Sequence, residues 1–383
     1  MKILHIDMTG PYTVGATYQE NLLPAQQVKQ GHEVVMYATS YEWADGKVKY
    51  VGECRRILDD GVILQRIDFT TIINDYLSRK IRLCTGLYNR LVKETPDFIM
   101  VHDGQTACVL DICKYVADNP QVVLIADSHS DYYNSATSIP SKLLLHDLIY
   151  RPLMRKLYGA SKKFYCISPE VMRFICKSYG LDKTKMELLP LGGELLSDDE
   201  YDSFRKDYRR ELGIPDDGIN IIHSGKMTFL KGSDKVVEAV EAMQNEKVYL
   251  TLVGSASGEI LECIEAAAER NPKIRYLGWK SGDELVKYLC AADIYVLPGS
   301  QSATVQNSMC CRCAVELYPY DNYKSLKQDG VCYAIDGEEL IRNLTAMCND
   351  RQLLDSLKDI SYKFAKHELD YAVQAKRIIN DNI

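Results

Sequence analysis

The sequence predicts an α/β protein of two Rossmann-like domains facing each other across a cleft. Three observations carry that expectation. Short apolar runs alternate with helical stretches, the alternation restarts after a polar interval, and 383 residues suffice for two separate cores.

The first series opens with Lys2-Ile3-Leu4-His5-Ile6-Asp7, closed by Thr9-Gly10-Pro11, and after a helix-like stretch reaches the run from Gly31 to Tyr37. It continues at 97–102, 122–126 and 164–168. Near-continuous apolar strands separated by helices belong to a parallel sheet covered on both faces. The second series has its runs at 219–223, 248–253, 274–278 and 293–297. Between the two, Leu196 to Asp217 is charged and polar, with Gly213, Pro215 and Gly218 as punctuation, and is read as the boundary. The expected domains are therefore 1–195 and 218–365. From Asp336 onward the chain reads as successive helices, and 366–383 forms a closing helix with a possible return to the first domain.

Composition narrows the function. With 46% hydrophobic and 26% charged residues the chain is of ordinary globular type, and its net charge of -7 argues against nucleic acid as main partner. Thirteen cysteines show no repeated metal-ligand spacing; Cys310, Cys311 and Cys313 lie in a run that also reads as a buried helix. No metal site is expected. The opening Met1-Lys2-Ile3-Leu4-His5 has no leader pattern, so reduced thiols in the cytoplasm are the simplest reading. No apolar run reaches the roughly 18 residues of a membrane-spanning helix. The segment 142–163 mixes Leu143, Leu144, Leu145, Leu148, Ile149, Leu153, Met154 and Leu157 with Arg151, Arg155, Lys156, Lys162 and Lys163. Either it rests on the inner face of a membrane, or it is a domain helix with one buried face.

Sites in open parallel sheets form at the carboxyl ends of strands, so the loops there hold the candidate chemistry. In the second half, His223 to Asp234 follows a strand and leads into a helix, bringing Lys226 and Lys231 to one helix entrance with Gly225 and Gly232. Two ammonium groups and free helix amides suit a diphosphate; the alternative is a turn flanked by exposed lysines. A second entrance runs from Pro298 through Ser300, Gln301, Ser302, Ala303 and Thr304 to Val305, where backbone amides would meet a departing diphosphate or Ser300 or Ser302 would simply cap the helix. In the first half, the loop holding Gly10 and Gly15, and the strand ends His102-Asp103-Gly104 and Asp127-Ser128-His129-Ser130, share one rim. The histidines are either structural or catalytic, and the glycines either turn residues or part of a ligand loop.

In their order these residues resemble the retaining glycosyltransferases of family 4, which have the GT-B fold. The first-half markers are the loop at Gly10 and Gly15, Gln30-Gly31-His32-Glu33-Val34, Val101-His102, His129, Ile167-Ser168-Pro169-Glu170 and Leu189-Pro190-Leu191-Gly192-Gly193. The second-half markers are Gly225-Lys226, Leu230-Lys231-Gly232, Leu252-Val253-Gly254, Tyr276-Leu277-Gly278-Trp279 and Ala292 to Pro298. The resemblance implies transfer of a sugar from a nucleoside-diphosphate sugar, UDP favoured, to a glycan or lipid-linked acceptor in cell-surface polysaccharide or glycoconjugate synthesis. It implies no cofactor and no metal. Lys226 and Lys231 would neutralise the diphosphate and His129 would position the donor sugar from the opposite domain. Gly15, Gly225, Gly254, Gly278, Trp279 and the stretch Ser300 to Thr304 would line the donor, and Gly10 and His102 the acceptor side. The family's two glutamates, eight positions apart, are missing. Aligning Ser308-Met309-Cys310-Cys311 on the family's pattern puts Asn307 at the second, ribose-binding position and Gly299 or Ser302 at the first. That loss motivates two rivals, a catalytically silent sugar-binding partner subunit and a nucleotide-sugar epimerase of the same fold using first-domain carboxylates.

Overall fold

The computed structural model describes residues 1–44, 47–72, 74–131, 141–323, 326 and 328–383. Its strands in chain order are β1 (Lys2–Asp7), β2 (Glu33–Thr39), β3 (Tyr41–Ala44), β4 (Lys47–Tyr50), β5 (Cys54–Ile57), β6 (Ile63–Ile67), β7 (Phe98–His102) and β8 (Val123–Ser128). Then follow β9 (Lys163–Cys166), β10 (Met186–Leu188), β11 (Ile219–Ser224), β12 (Val248–Val253), β13 (Ile274–Tyr276), β14 (Ile294–Leu297), β15 (Ala314–Leu317) and β16 (Val331–Tyr333).

The first sheet runs β10-β9-β8-β7-β1-β2-β6-β5 and is parallel except for the edge strand β5. In register, Leu4 of β1 lies between Val35 of β2 and Ile99 of β7. Central position explains the apolar run, broken only by the buried His5: Ile3, Leu4 and Ile6 are all fully buried, because helices cover both faces. The second sheet runs β13-β12-β11-β14-β15-β16, parallel throughout. In each sheet the strand order reverses beside the first strand of its series, at β1/β7 and at β11/β14. Each half is thus a Rossmann-like α/β domain. Strands β3 to β6 did not register in the sequence: β4 and most of β5 are exposed and lack an apolar run, and the buried β6 is interrupted by Gln65 and Arg66.

The chain divides into two compact units, Met1–Pro190 with Gln374–Ile383, and Leu191–Val373. The boundary therefore precedes the polar interval expected to form it. Residues Asp198–Glu211 are a helix with a capping box between Ser197 and Glu200, and the helix belongs to the second unit. Its polarity is deceptive: Arg205 and Arg209 reach the buried Asp293 at 2.6 and 3.0 Å, where Lys358 also pairs at 3.1 Å. Burial would favour a neutral Asp293, yet Lys358 and Arg205 hold its carboxyl well below the usual range. At the other end, Asn382 donates from its side chain to the Tyr165 hydroxyl at 3.0 Å and its carbonyl accepts from Lys162 at 2.6 Å, so the last residues belong to the first unit.

Two further expectations change. Cys310 ends the helix Thr304–Cys310, and the chain turns at Arg312, whose φ of 64° is left-handed, into β15; Cys311 and Cys313 are not helical. Arg312 is held there between the Tyr201 and Tyr362 rings, 4.1 and 4.6 Å from their centroids. In the segment read as a membrane surface, Leu153, Met154 and Leu157 of the helix Arg151–Ala160 face the core. Only Leu148 is largely exposed among the large apolar side chains described there, so the domain-helix alternative applies; the side chains of Leu143 and Leu144 lie outside the described residues. No described helix is long and apolar enough to cross a membrane.

Candidate functional site

In the second unit the loops after β11 and β14 meet at the reversal of strand order, where α/β sheets bind ligands. Gly225, Gly232, Gly254 and Gly299 make that meeting possible. A Cβ on Gly254 would stand 1.7 Å from the Gly225 carbonyl oxygen, and one on Gly299 would stand 2.3 Å from the Lys231 carbonyl carbon. Neither position admits a side chain. His223 supports the loop from below: Nδ1 donates to the Val296 carbonyl at 2.8 Å, and Nε2 accepts from the Ser233 hydroxyl at 2.9 Å. Burial lowers its pKa to about 4, so it stays neutral and structural.

Above this floor lies Lys231. A Cβ on Gly225 would be only 3.3 Å from its ammonium nitrogen, and among the described residues Nζ hydrogen-bonds to the Gln301 carbonyl at 3.5 Å. Among the described residues no carboxylate pairs with it, and burial lowers its pKa. Lys226, next to Gly225 in the chain, is exposed. The helix Ser233–Met243 begins here with Gly232 in the left-handed conformation and no side-chain cap. The site thus offers a cation with no carboxylate among the described residues and a helix start without a side-chain cap, although the Ser233 amide itself already donates to the Thr228 carbonyl at 3.3 Å, an arrangement suited to an anion.

The other donor-side residues are placed unevenly. Gly278 accepts from the Gly254 amide at 2.8 Å and so joins the glycine floor, while Trp279 is 73% exposed. Ser300 donates its amide to Leu230, and the Gln301 side-chain oxygen accepts from Asn322 at 2.7 Å. The expectation that amides from Ser302 onward face a leaving diphosphate needs correction. The Ser302 amide already donates to the Tyr323 hydroxyl at 2.7 Å, and that of Thr304 leans on the Ser302 hydroxyl at 3.4 Å. Ala303 is exposed just ahead of the helix, and neither Ser300 nor Ser302 caps it. Asn307, half-buried on that helix, turns its Oδ1 to Gly193, where a Cβ would be 2.5 Å away.

In the first unit the carboxyl ends of β1, β7 and β8 bring together a buried polar chain. His5 Nε2 lies 2.7 Å from Gln27 Oε1, His5 Nδ1 2.9 Å from His102 Nε2, and His102 Nδ1 2.8 Å from Asp127 Oδ2. His129 adds its Nε2 at 3.6 Å from the same oxygen. Both end groups, Gln27 Oε1 and Asp127, only accept, so each of the three links needs a proton from the two rings. Two neutral imidazoles carry one each; the third proton makes His102 an imidazolium. Turning the Gln27 amide would leave both rings neutral and merely exchange a bare Nε2 for a bare Oε1.

The electrostatics agree with the charged form. Burial, reinforced by His102, lowers His5 to about 3. Burial opposes charge on His102 and His129 as well, but Asp127 outweighs it, raising His102 above its ordinary value and His129 to about 10. Asp127 itself, despite burial, is held far below the carboxylate range by the two rings. The ligating atoms of His102, Asp127 and His129 lie within 4.8 Å of one another, a spacing open to a divalent ion. His102 and Asp127 are joined by the 2.8 Å hydrogen bond of an ion pair.

His102 was expected on the acceptor side. With both ring nitrogens engaged and 3% of its surface exposed, it braces Asp127 instead. His129, a quarter exposed, is the member of the set that reaches the surface. Gly10 holds its loop by accepting from the Thr39 hydroxyl at 2.9 Å, and Gly15, with φ of 76°, is an exposed turn. Sequence reasoning missed His5 and Gln27 as members of the cluster. A histidine inside the apolar run of β1 was the available signal.

Comparison with known proteins agrees with this geometry. Residues 18–194 match the family model described as Glycosyltransferase Family 4, and residues 204–364 match Glycosyl transferases group 1. An uncharacterized glycosyltransferase of Methanocaldococcus jannaschii is 24% identical over 207 residues, 53% of this chain and 51% of the relative, so the match spans about half of that relative's length. Among solved structures, a glycosyltransferase from Rickettsia africae has a TM-score of 0.69 at 13% identity, covering 99% of this chain and 97% of its own. HepE of Anabaena in complex with UDP has 0.65 at 14%, covering 100% and 99%, and sucrose-phosphate synthase from Thermosynechococcus elongatus has 0.65 at 14%, covering 99% and 98%. At such identities the structural likeness speaks for the fold. Taken with the two family matches, it makes the chain a divergent member of the GT-B glycosyltransferases, with a family 4 first domain and a group 1 second domain.

Proposed function

We propose that the protein transfers a sugar, with retention of configuration, from a UDP-sugar to a glycan or lipid-linked acceptor in the cytoplasm, as a step of cell-surface polysaccharide or glycoconjugate synthesis. One observation carries the reading: the half-buried ammonium of Lys231, without a carboxylate among the described residues, poised over the Gly225 backbone. A diphosphate supplies the missing charge, and that attraction grows as the leaving group gains charge in the transition state. Lys226 and the amides at the start of the helix Ser233–Met243 share the task, and Asn307 takes the ribose. His129 is the residue assigned to positioning the donor sugar. The glycosidic bond to the diphosphate breaks, the acceptor oxygen bonds to the anomeric carbon on the same face, and its proton passes to the departing phosphate. No protein nucleophile and no metal is needed. UDP complexes of HepE support the choice of nucleotide.

Thermal unfolding with a panel of nucleotides and nucleotide sugars tests it. UDP and one UDP-sugar should raise the midpoint and that donor should hydrolyse slowly, since a ligand of the native state stabilises it by mass action. No stabilisation by any of them would overturn the reading. The replaced glutamate pair favours one alternative, a silent nucleotide-binding subunit, for which binding would occur without turnover whatever the acceptor.

A further inference from the structure

The second unit contains a cavity of about 520 Å³ between the helices Asp198–Glu211 and Arg351–Phe364. Arg205 and Lys358, which line it, meet at Asp293 just before β14, and Arg312, in the same wall, precedes β15. The cavity therefore lies at the amino ends of these strands, whereas the candidate diphosphate loops follow the carboxyl ends of β11 and β14.

Charge at its base does not balance. Asp293 is fully buried, and Arg205, Arg209 and Lys358 pair with it at 2.6, 3.0 and 3.1 Å, three cations on one carboxylate. Two positive charges remain in a cluster whose basic side chains are only 7% to 21% exposed, where uncompensated charge is costly. The acids lining the cavity do not supply the difference, because Asp198 pairs with Arg312, Asp355 with Arg351 at 3.2 Å and Asp359 with Lys363 at 2.6 Å. Asp202 and Lys366, neither in an ion pair among the described residues, offset one another in number, and the Lys366 ammonium lies over the Tyr362 ring, 4.4 Å from its centroid.

Hydrogen-bond donors are in surplus as well. Arg205 gives Nη1 to the carbonyls of Cys290 at 3.1 Å and Ala292 at 3.0 Å and Nη2 to Asp293, which leaves Nε and a second Nη2 hydrogen without an acceptor among the described residues. Lys358 uses one of its three ammonium hydrogens, on Asp293. The volume lies within the roughly 300–1,000 Å³ of small-molecule sites. An excess of two charges matches a phosphate monoester, which carries about -1.5 to -2 at pH 7 and accepts readily from guanidinium and ammonium groups.

We propose that this cavity is a second anion site, in which Arg205 and Lys358 hold a phosphate group, free or carried on a small molecule. The site is separate from the diphosphate loops and does not depend on the transferase reading.

Calorimetry on the full chain tests it with inorganic phosphate, glycerol 3-phosphate and glycerol as probes, UDP being titrated in parallel. One or both phosphates should bind at least about tenfold more tightly than glycerol, the scale of one charge-assisted contact, and the tighter of the two tells free from carried phosphate. Lys358→Met leaves Asp293 with two guanidinium partners, so it should fold with an unchanged or higher midpoint while binding phosphate about tenfold more weakly and UDP as wild type does. Lys358→Arg should restore most of the phosphate affinity. Lys366→Gln, at an exposed position, should weaken phosphate by about threefold, the scale of an exposed charge pair, and decides alone if Lys358→Met does not fold. Lys231→Ala should bind phosphate as wild type does. No binding of either phosphate, binding that Lys231→Ala abolishes, or an affinity unchanged in Lys358→Met and Lys366→Gln would each overturn the proposal. Normal UDP binding beside such a result leaves the donor reading intact. Absent UDP binding beside Lys358-dependent capture of phosphate counts against the transferase reading alone.

Discussion

At position 231 the ammonium group gives up part of its hydration without gaining a counter-ion, a placement with a folding cost that a bound diphosphate would offset. Lys231→Ala should therefore lower kcat/KM by about 2–4 kcal/mol of transition-state stabilisation while leaving the thermal midpoint equal or slightly raised. Steady-state kinetics beside thermal unfolding checks this, and wild-type turnover in the variant would remove Lys231 from the diphosphate. Asp127 offers a pH test. His129 has a folded value of about 10, above the ordinary 6.5, so its stabilising contribution is complete below about 6.5 and is lost as pH rises through 10. The depressed Asp127 contributes above its ordinary value near 3.9, and loses that contribution only as pH falls through its far lower folded value. The cluster is thus most stabilising at about pH 4–6.5. The buried neutral His5 and His223 cost stability as pH falls through that range, but they are common to wild type and variant. Denaturant titrations of wild type and Asp127→Asn should differ most near pH 5.5 and progressively less towards pH 10. A difference that does not vary with pH would mean that Asp127 carries no charge interaction with the rings.

Among the elements, the short helix Thr304–Cys310 departs furthest from the family pattern, since Asn307 stands where a ribose-binding glutamate is usual and the amide of Ser302 is already engaged. An amide accepts a hydrogen bond without a carboxylate's charge, so donor affinity should rest mainly on the diphosphate, and free UDP should bind nearly as well as UDP-sugar. Asn307→Glu should tighten UDP by about tenfold and Asn307→Ala should weaken it, both read by calorimetry. If neither changes the affinity, Asn307 does not meet the ribose and its contact with Gly193 is purely structural. The helix Asp198–Glu211 shows the limit of reading elements by polarity. Its charges signalled a linker, whereas Arg205 and Arg209 use theirs inward, on Asp293.

At the scale of the whole molecule, the proposed reading has two lysines and a helix start supplying the positive potential that other transferases take from a divalent ion. Turnover should survive prolonged dialysis against EDTA; loss of activity that manganese or magnesium restores would contradict the lysine assignment. The sequence by itself determined the two α/β halves, because a parallel strand buried on both faces must be apolar along its length, as Phe98 to Val101 and Ile294 to Leu297 are. It also determined the loops after β11 and β14, since glycines and lysines at strand ends are local signals. Only the tertiary structure decided the unit boundary at Pro190, the inward use of His102 and of Arg209, and the engagement of the Ser302 amide by Tyr323. Each depends on which residues distant in sequence become neighbours, and a histidine, an arginine or a serine amide reads identically in a chain whether its partner is water, a carboxylate or a hydroxyl far along the sequence.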